Sequence, residues 1–150
     1  MGAQSNPLFV YGALLDDELR TIVIGRRRPL MMAIGQNVRS RTIAKTGLAG
    51  LVDAPGTEFS GALVWGLSEE EWLRVARFEG EGYELRKIDV APTDGGPLID
   101  AYAFFARASN ELLPNPWHIA SWAPESRYAM LREAMLRFGA PQPVKMAGAR

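Results

Sequence analysis

Apolar residues fall along this chain in short runs and periodic stripes that predict alternating strands and helices. Leu8-Phe9-Val10-Tyr11 is a short apolar run closed at once by Gly12, which predicts a buried strand entering a glycine-bearing turn. Asp16-Asp17-Glu18 then precede Leu19, Ile22 and Val23, whose three- and four-residue spacing predicts a short helix with acids in its first turn. Gly25 and Pro29 close it. Residues 30–46 read as extended, turning strands with Arg39, Arg41 and Lys45 on the wet side. Leu48–Val52 is a short apolar stretch, followed by an expected loop at Asp53-Ala54-Pro55-Gly56. Phe59, Gly61, Leu63 and Trp65 predict a largely buried strand, in which Gly61 marks either a bulge or a close approach to the backbone.

The clearest local signature begins at Ser68. Glu71 lies three positions on, forming a capping box, and the periodicity of Trp72, Val75, Ala76 and Phe78 predicts the inward stripe of a helix of about three turns. Glu79 falls beside Val75 and Ala76 at its end, before Gly80 and Gly82 break it. Tyr83–Val90 and Leu98–Ala106 read as strands joined across the turn at residues 92–97. Asn110–Trp122, rich in proline and tryptophan, packs irregularly in this reading. A last helix runs from about Pro124 to Phe138, with Tyr128, Leu131, Met135 and Phe138 as its core stripe, and Gly139 and Pro141 stop it. Strands around two or three separate helices, with no regular strand–helix–strand repeat, predict an α+β fold. At 150 residues the chain fits one domain over 7–140, flanked by flexible tails at 1–6 and 141–150.

Composition narrows the chemistry. A formal net charge of zero supplies no general attraction to nucleic acid or anionic membrane, and no sustained basic strip interleaves with the aromatics. No stretch approaches the length of a membrane-spanning helix, and the N-terminus lacks the basic and apolar parts of a leader. The sequence has no cysteine, which removes disulfides, thiolate nucleophiles and cysteine metal sites and fits a cytoplasmic protein. His118 is the single histidine, so a histidine metal cluster is excluded and the expectation is no metal and no cofactor. A serine triad would need His118, and no nucleophile elbow accompanies it.

Two places remain. Glu79 sits at a helix C-terminus, where the dipole disfavours negative charge; partial burial would raise its pKa towards neutrality and suit it to moving a proton. An ordinary surface acid before a glycine explains it equally well from local sequence. Glu81, between two glycines, reads as exposed, and Glu84 as lying across the strand from Tyr83 and Leu85. The second place is the turn Tyr11-Gly12-Ala13-Leu14, whose successive N–H groups can converge on an anion; locally, a plain strand end is the commoner reading. Arg26-Arg27-Arg28 reads as a solvated helix end, and Trp117 and Trp122 as internal packing.

Together these segments resemble the gamma-glutamyl cyclotransferase-like superfamily, in particular its small AIG2-like proteins. The resemblance is carried, in order, by Phe9-Val10-Tyr11-Gly12-Ala13-Leu14, by Ser60-Gly61-Ala62-Leu63-Val64-Trp65-Gly66-Leu67, and by Phe78-Glu79-Gly80 spaced before Tyr83 and Arg86. It spans about residues 8–106. It implies a small mixed sheet or barrel-like core with peripheral helices. It also implies that Tyr11, Gly12, Ala13 and Leu14 form a loop holding the glutamyl end of a substrate, with Glu79 as the proton-transfer residue. Tyr83 and Arg86 are then pocket-shaping or orienting residues. The family usually carries serine or threonine where this chain has Ala13, so a hydroxyl contact is missing while the backbone donors remain.

The implied reaction is cyclisation of a small gamma-glutamyl substrate to 5-oxoproline by a cofactor-free monomer or homodimer, with no nucleic-acid or membrane partner. The alternative is a non-catalytic small-molecule or protein-binding domain on the same fold.

Overall fold

The computed structural model describes residues 6–143. Strand β1 (Leu8–Val10) leads through a 3-10 turn (Ala13–Leu15) into helix α1 (Asp17–Ile24). The chain continues as β2 (Met31–Ile43), β3 (Ala49–Val64), helix α2 (Glu69–Glu79), β4 (Tyr83–Pro92) and β5 (Ile99–Ala106). It ends with a two-residue β6 (Leu112–Leu113), a 3-10 turn (Ile119–Ser121) and helix α3 (Pro124–Phe138). β1 pairs antiparallel with β3, β3 with β2, β2 with β4 and β4 with β5. A parallel contact at Leu8↔Tyr102 returns β5 to β1, so five strands close into a barrel flanked by three helices.

Period-two alternation divides the core into two layers. Phe9, Val38, Leu51, Leu63, Val90 and Phe105, drawn from all five strands, pack together inside the barrel. Leu8, Val10, Val64 and Phe104 face the other way and meet Leu19, Val23, Trp72, Val75 and Leu131 of the helices. Gly61 is a site of close approach: a Cβ there would lie 2.5 Å from the Val10 carbonyl oxygen and 2.6 Å from Cζ of Phe9.

The helix ends follow their local chemistry. Asp16 accepts a hydrogen bond from the Leu19 N–H at 2.9 Å and caps α1. At α2 the capping box is complete, with the Ser68 hydroxyl accepting from Glu71 N–H at 3.1 Å and a Glu71 oxygen accepting from Ser68 N–H at 2.9 Å. Glu71 also accepts from Arg26 at 2.5 Å and from Arg28 at 3.2 Å, so two arginines of the expected solvated cluster are tied down. Burial pushes the Glu71 carboxyl up, but the Arg26, Ser68 and Arg28 bonds outweigh it and hold the pKa below its ordinary value. Glu71→Ala should therefore cost about 1–3 kcal/mol, read as a lower urea midpoint at pH 7. The difference should shrink as pH falls through the depressed carboxyl pKa, because the bound carboxylate is then lost in the wild type as well.

Four sequence expectations need correction. Asp53–Gly56 is not a free-standing loop, because β3 continues through it. The register passes from Val38↔Asp53 to Gln36↔Glu58, leaving residues 54–57 as a bulge opposite Asn37, whose side chain accepts from Gly56 N–H at 2.9 Å. Ala76 is exposed, and Trp72 and Val75 carry the buried stripe of α2. On α3 the buried residues are Leu131 and Ala134, whereas Tyr128 and Met135 are exposed, because the helix packs mainly along α1 through that narrower stripe. Trp65 lies just beyond β3 and is 44% exposed. The expected tails lie mostly outside the described residues; at their inner ends Asn6 donates to the Asp100 carbonyl and Gln142 N–H to that of Gly25.

Candidate active site

The strand β1 and the helix α2 deliver the two candidate segments to one cavity at the barrel's helical flank. Tyr11, Gly12, Ala13 and Leu14 line it from the β1 turn, and Glu79 and Tyr83 from the end of α2 and the start of β4. The free volume is about 40 Å³, room for about three water molecules on the scale of about 10–15 Å³ each.

Each side chain has an identifiable support. Gly80, at φ 81°, ends α2 in a conformation that suits glycine and turns the chain immediately after Glu79. Glu79 keeps some accessible surface, yet its carboxyl sits deep enough that burial alone pushes the pKa up to about 8. The Tyr11 hydroxyl donates to the Phe104 carbonyl at 2.5 Å and accepts from Leu51 N–H at 3.3 Å, which pins the head of the turn after β1 to β5 and β3. The Tyr83 hydroxyl donates to the Ala49 carbonyl at 2.7 Å. Burial first, and then the nearby Glu79 charge, raise both phenols above their ordinary range, which places both rings in the electrostatic neighbourhood of that carboxyl.

The turn is arranged to donate. Leu15 N–H bonds the Gly12 carbonyl at 2.9 Å and Asp16 N–H bonds that of Ala13 at 3.0 Å, while the N–H groups of Gly12, Ala13 and Leu14 have no backbone acceptor among the described residues. These are the orphan donors of a helical start. Arg20, almost fully buried, donates to the Leu14 carbonyl at 3.1 Å and the Leu15 carbonyl at 3.3 Å and braces the turn from behind. The combination is a carboxyl able to hold or release a proton near neutral pH, set beside unpaired amides in an apolar enclosure.

Arg86 is placed elsewhere. It is exposed, donates to both Asp53 carboxylate oxygens at 3.1 Å and lies over the Phe105 ring at 4.0 Å. Glu81 is exposed, and Glu84 pairs with Arg107 at 3.5 Å. Sequence reasoning missed Leu48, Ala49 and Phe104 as cavity walls. Only the apolar character of Leu48–Val52 and Leu98–Ala106 signalled them, and it is shared by any buried strand. His118 is exposed and stacks on Phe59 at 6.3 Å between centroids. Among the described residues no group of three or more His, Cys, Asp or Glu stands together as a metal site, and no helix is long and apolar enough to cross a membrane.

The model of the family described as gamma-glutamyl cyclotransferase, AIG2-like, matches residues 8–124, a span containing both β1 and Glu79. The chain belongs to this AIG2-like family. Solved structures share its fold. A solution structure from Arabidopsis thaliana superposes with a TM-score of 0.67 at 18% identity, covering 89% of this chain and 81% of that one. A gamma-glutamyl cyclotransferase gives 0.62 at 19% identity, over 96% and 92% of the two chains. A Homo sapiens protein gives 0.62 at 20%, with the same coverage. No curated protein matches by sequence. For this AIG2-like chain, then, the mixed barrel with three helices is the family's fold, and what its cavity does rests on the residues.

Proposed function

We propose that this AIG2-like protein is a cofactor-independent gamma-glutamyl cyclotransferase working on a small gamma-glutamyl substrate in the cytoplasm. The observation that carries this reading is the shared cavity: Glu79, with its pKa near 8, opens onto the same space as the amide donors of residues 12–14. In the proposed reaction the substrate's α-amine attacks its own γ-carbonyl carbon. A C–N bond closes the five-membered ring, the amide C–N bond breaks, and 5-oxoproline and an amine leave. Glu79 takes the proton from the attacking nitrogen and returns it to the leaving one. Nucleophile and electrophile share one molecule, so the main contribution asked of the protein is folding that molecule into the reactive pose. The Gly12–Leu14 amides hold the substrate carboxylate, Tyr11 and Tyr83 shape the walls, and Arg86 acts from outside by fixing β4 against Asp53 and Phe105. Half-buried Leu48, on the turn between β2 and β3, closes one side of the cavity.

Purified protein incubated with gamma-glutamyl amines, amino acids and peptides should release 5-oxoproline together with the amine, both followed by mass spectrometry. Folded protein giving neither would favour the binding-only reading, for which Ala13, lacking the family's usual hydroxyl, is the motivating residue. With an active substrate, kcat/KM should rise with pH through a midpoint near 8, as free Glu79 loses its proton, and should not fall as the substrate ammonium deprotonates, because the free amine is the form that attacks. A rising limb in the ordinary carboxylate range would remove Glu79 from this role.

A further inference from the structure

A second, larger depression lies next to the Glu79 cavity. It measures about 690 Å³ and shares one lining residue with the smaller space, Leu48. That volume is in the range of small-molecule sites. One wall is aromatic: Trp117 is buried, and Trp122 meets it edge-on at 5.7 Å between centroids. Met130, half-buried on α3, continues the apolar surface.

Its polar chemistry is lopsided. Thr42 is occupied by Asn115, which it contacts through both side-chain and backbone bonds of 3.1 Å. The hydroxyls of Ser121 and Ser126 stand on the rim. Glu133 is the one carboxylate of the lining; its one basic side chain is the His118 imidazole, which stacks on Phe59, and among the described residues no arginine or lysine lines it. A leaving group that carries its own carboxylate, as every amino acid or peptide does, would meet Glu133 and neither a guanidinium nor an ammonium group. A flat apolar body on a plain amine would find two indole rings.

We propose that this aromatic groove is the leaving-group subsite, and that it selects gamma-glutamyl amides of carboxylate-free aromatic amines over gamma-glutamyl amino acids. The assignment rests on the cyclotransferase reading. With the glutamyl end at Gly12–Leu14 and its amide at Glu79, the substituent on the leaving nitrogen passes Leu48 and lies between Trp122 and α3. Ring closure breaks the amide bond, and the leaving nitrogen collects the proton from Glu79 and departs through the groove as the free amine.

Three substrates separate the ideas. Gamma-glutamyl-phenethylamine and gamma-glutamyl-phenylalanine differ only in one carboxylate, and gamma-glutamyl-methylamine has nothing to place in the groove. The expected kcat/KM favours the phenethylamide over the phenylalanine conjugate by about tenfold, the scale of one unpaired charge met by a like charge. Trp122→Ala should collapse the phenethylamide-to-methylamide ratio towards one. Ser126→Arg, a change at an exposed position, should raise the phenylalanine conjugate relative to the phenethylamide by supplying a guanidinium for its carboxylate. Equal rates for the matched pair, or a ratio indifferent to both substitutions, would overturn the subsite while leaving the cyclotransferase standing. Absence of 5-oxoproline from all three, the methylamide included, would overturn both.

Discussion

Glu79→Gln should reduce 5-oxoproline release by about a hundred- to ten-thousandfold, the usual range for removing a positioned acid–base group. Gln keeps the size of the side chain and removes its ability to carry a proton between the two nitrogens. The substrate's KM should change less than kcat, because the amides of Gly12–Leu14 are untouched. The same variant should be more stable than the wild type near and above pH 8, which separates lost chemistry from lost structure. Burial raises the folded Glu79 pKa from the ordinary 4.5 to about 8. Below 4.5 the carboxyl is neutral in both folded and unfolded chains, and its contribution to stability is fully present. Between 4.5 and 8 the unfolded chain releases its proton while the folded chain retains it, so stability is progressively lost. Gln does not titrate and escapes that loss. Urea midpoints at pH 4.5 and 8.5 should therefore diverge, by on the order of a few kcal/mol at most after allowing for partial exposure. Full turnover by a folded Glu79→Gln protein would end the proton-transfer assignment.

Gly61→Ala should produce the largest loss of stability of any single methyl addition in the barrel. The new carbon would sit 2.5 Å from the Val10 carbonyl oxygen, a backbone atom, and 2.6 Å from the fully buried Phe9 ring. Overpacking costs about 1–3 kcal/mol and sometimes more. Here neither neighbour is the loose end of a flexible side chain, so the upper part of that range or beyond is expected. Gly82→Ala is the control, since its nearest atom would be 3.5 Å away. Val10 immediately precedes Tyr11, so any Gly61→Ala protein that remains folded should also show a weakened substrate KM. An unfolding midpoint within 0.5 kcal/mol of wild type, about the scale of an ordinary surface change, would contradict the tight packing described here.

The comparison of sequence with structure divides along the range of the interactions. Ser68 and Glu71 announce the start of α2 because a capping box involves residues three apart, and Gly80 announces its end for a similarly local reason. The position of Glu79 was therefore legible. Its burial was not, because β1 and its turn enclose it from about seventy residues away. Pro55 and Gly56 looked like a loop since punctuating residues commonly end strands. β2 instead carries β3 past them, and Asn37 accommodates the bulge. On α3, Tyr128 and Met135 fall at the same helical spacing as Leu131, and only the placement of α1 decides which stripe is covered. Arg26 and Arg28 looked solvated because their partner Glu71 is more than forty residues on.

Barrel closure also dictates an order of assembly. The Tyr11 hydroxyl reaches Phe104 across 93 positions of sequence, and β1 finds its parallel neighbour only at Tyr102. Contacts of such separation form slowly, since the entropy of closing the intervening chain is lost before the contact rewards it. During synthesis the turn after β1 emerges some ninety residues before the strand that anchors it. The turn is thus made before its anchor and finished only with it, and the nascent chain has no enclosed carboxyl until β5 is in place. Protection of the Leu51 amide against hydrogen exchange, which depends on the Tyr11 hydroxyl, would report that final step directly.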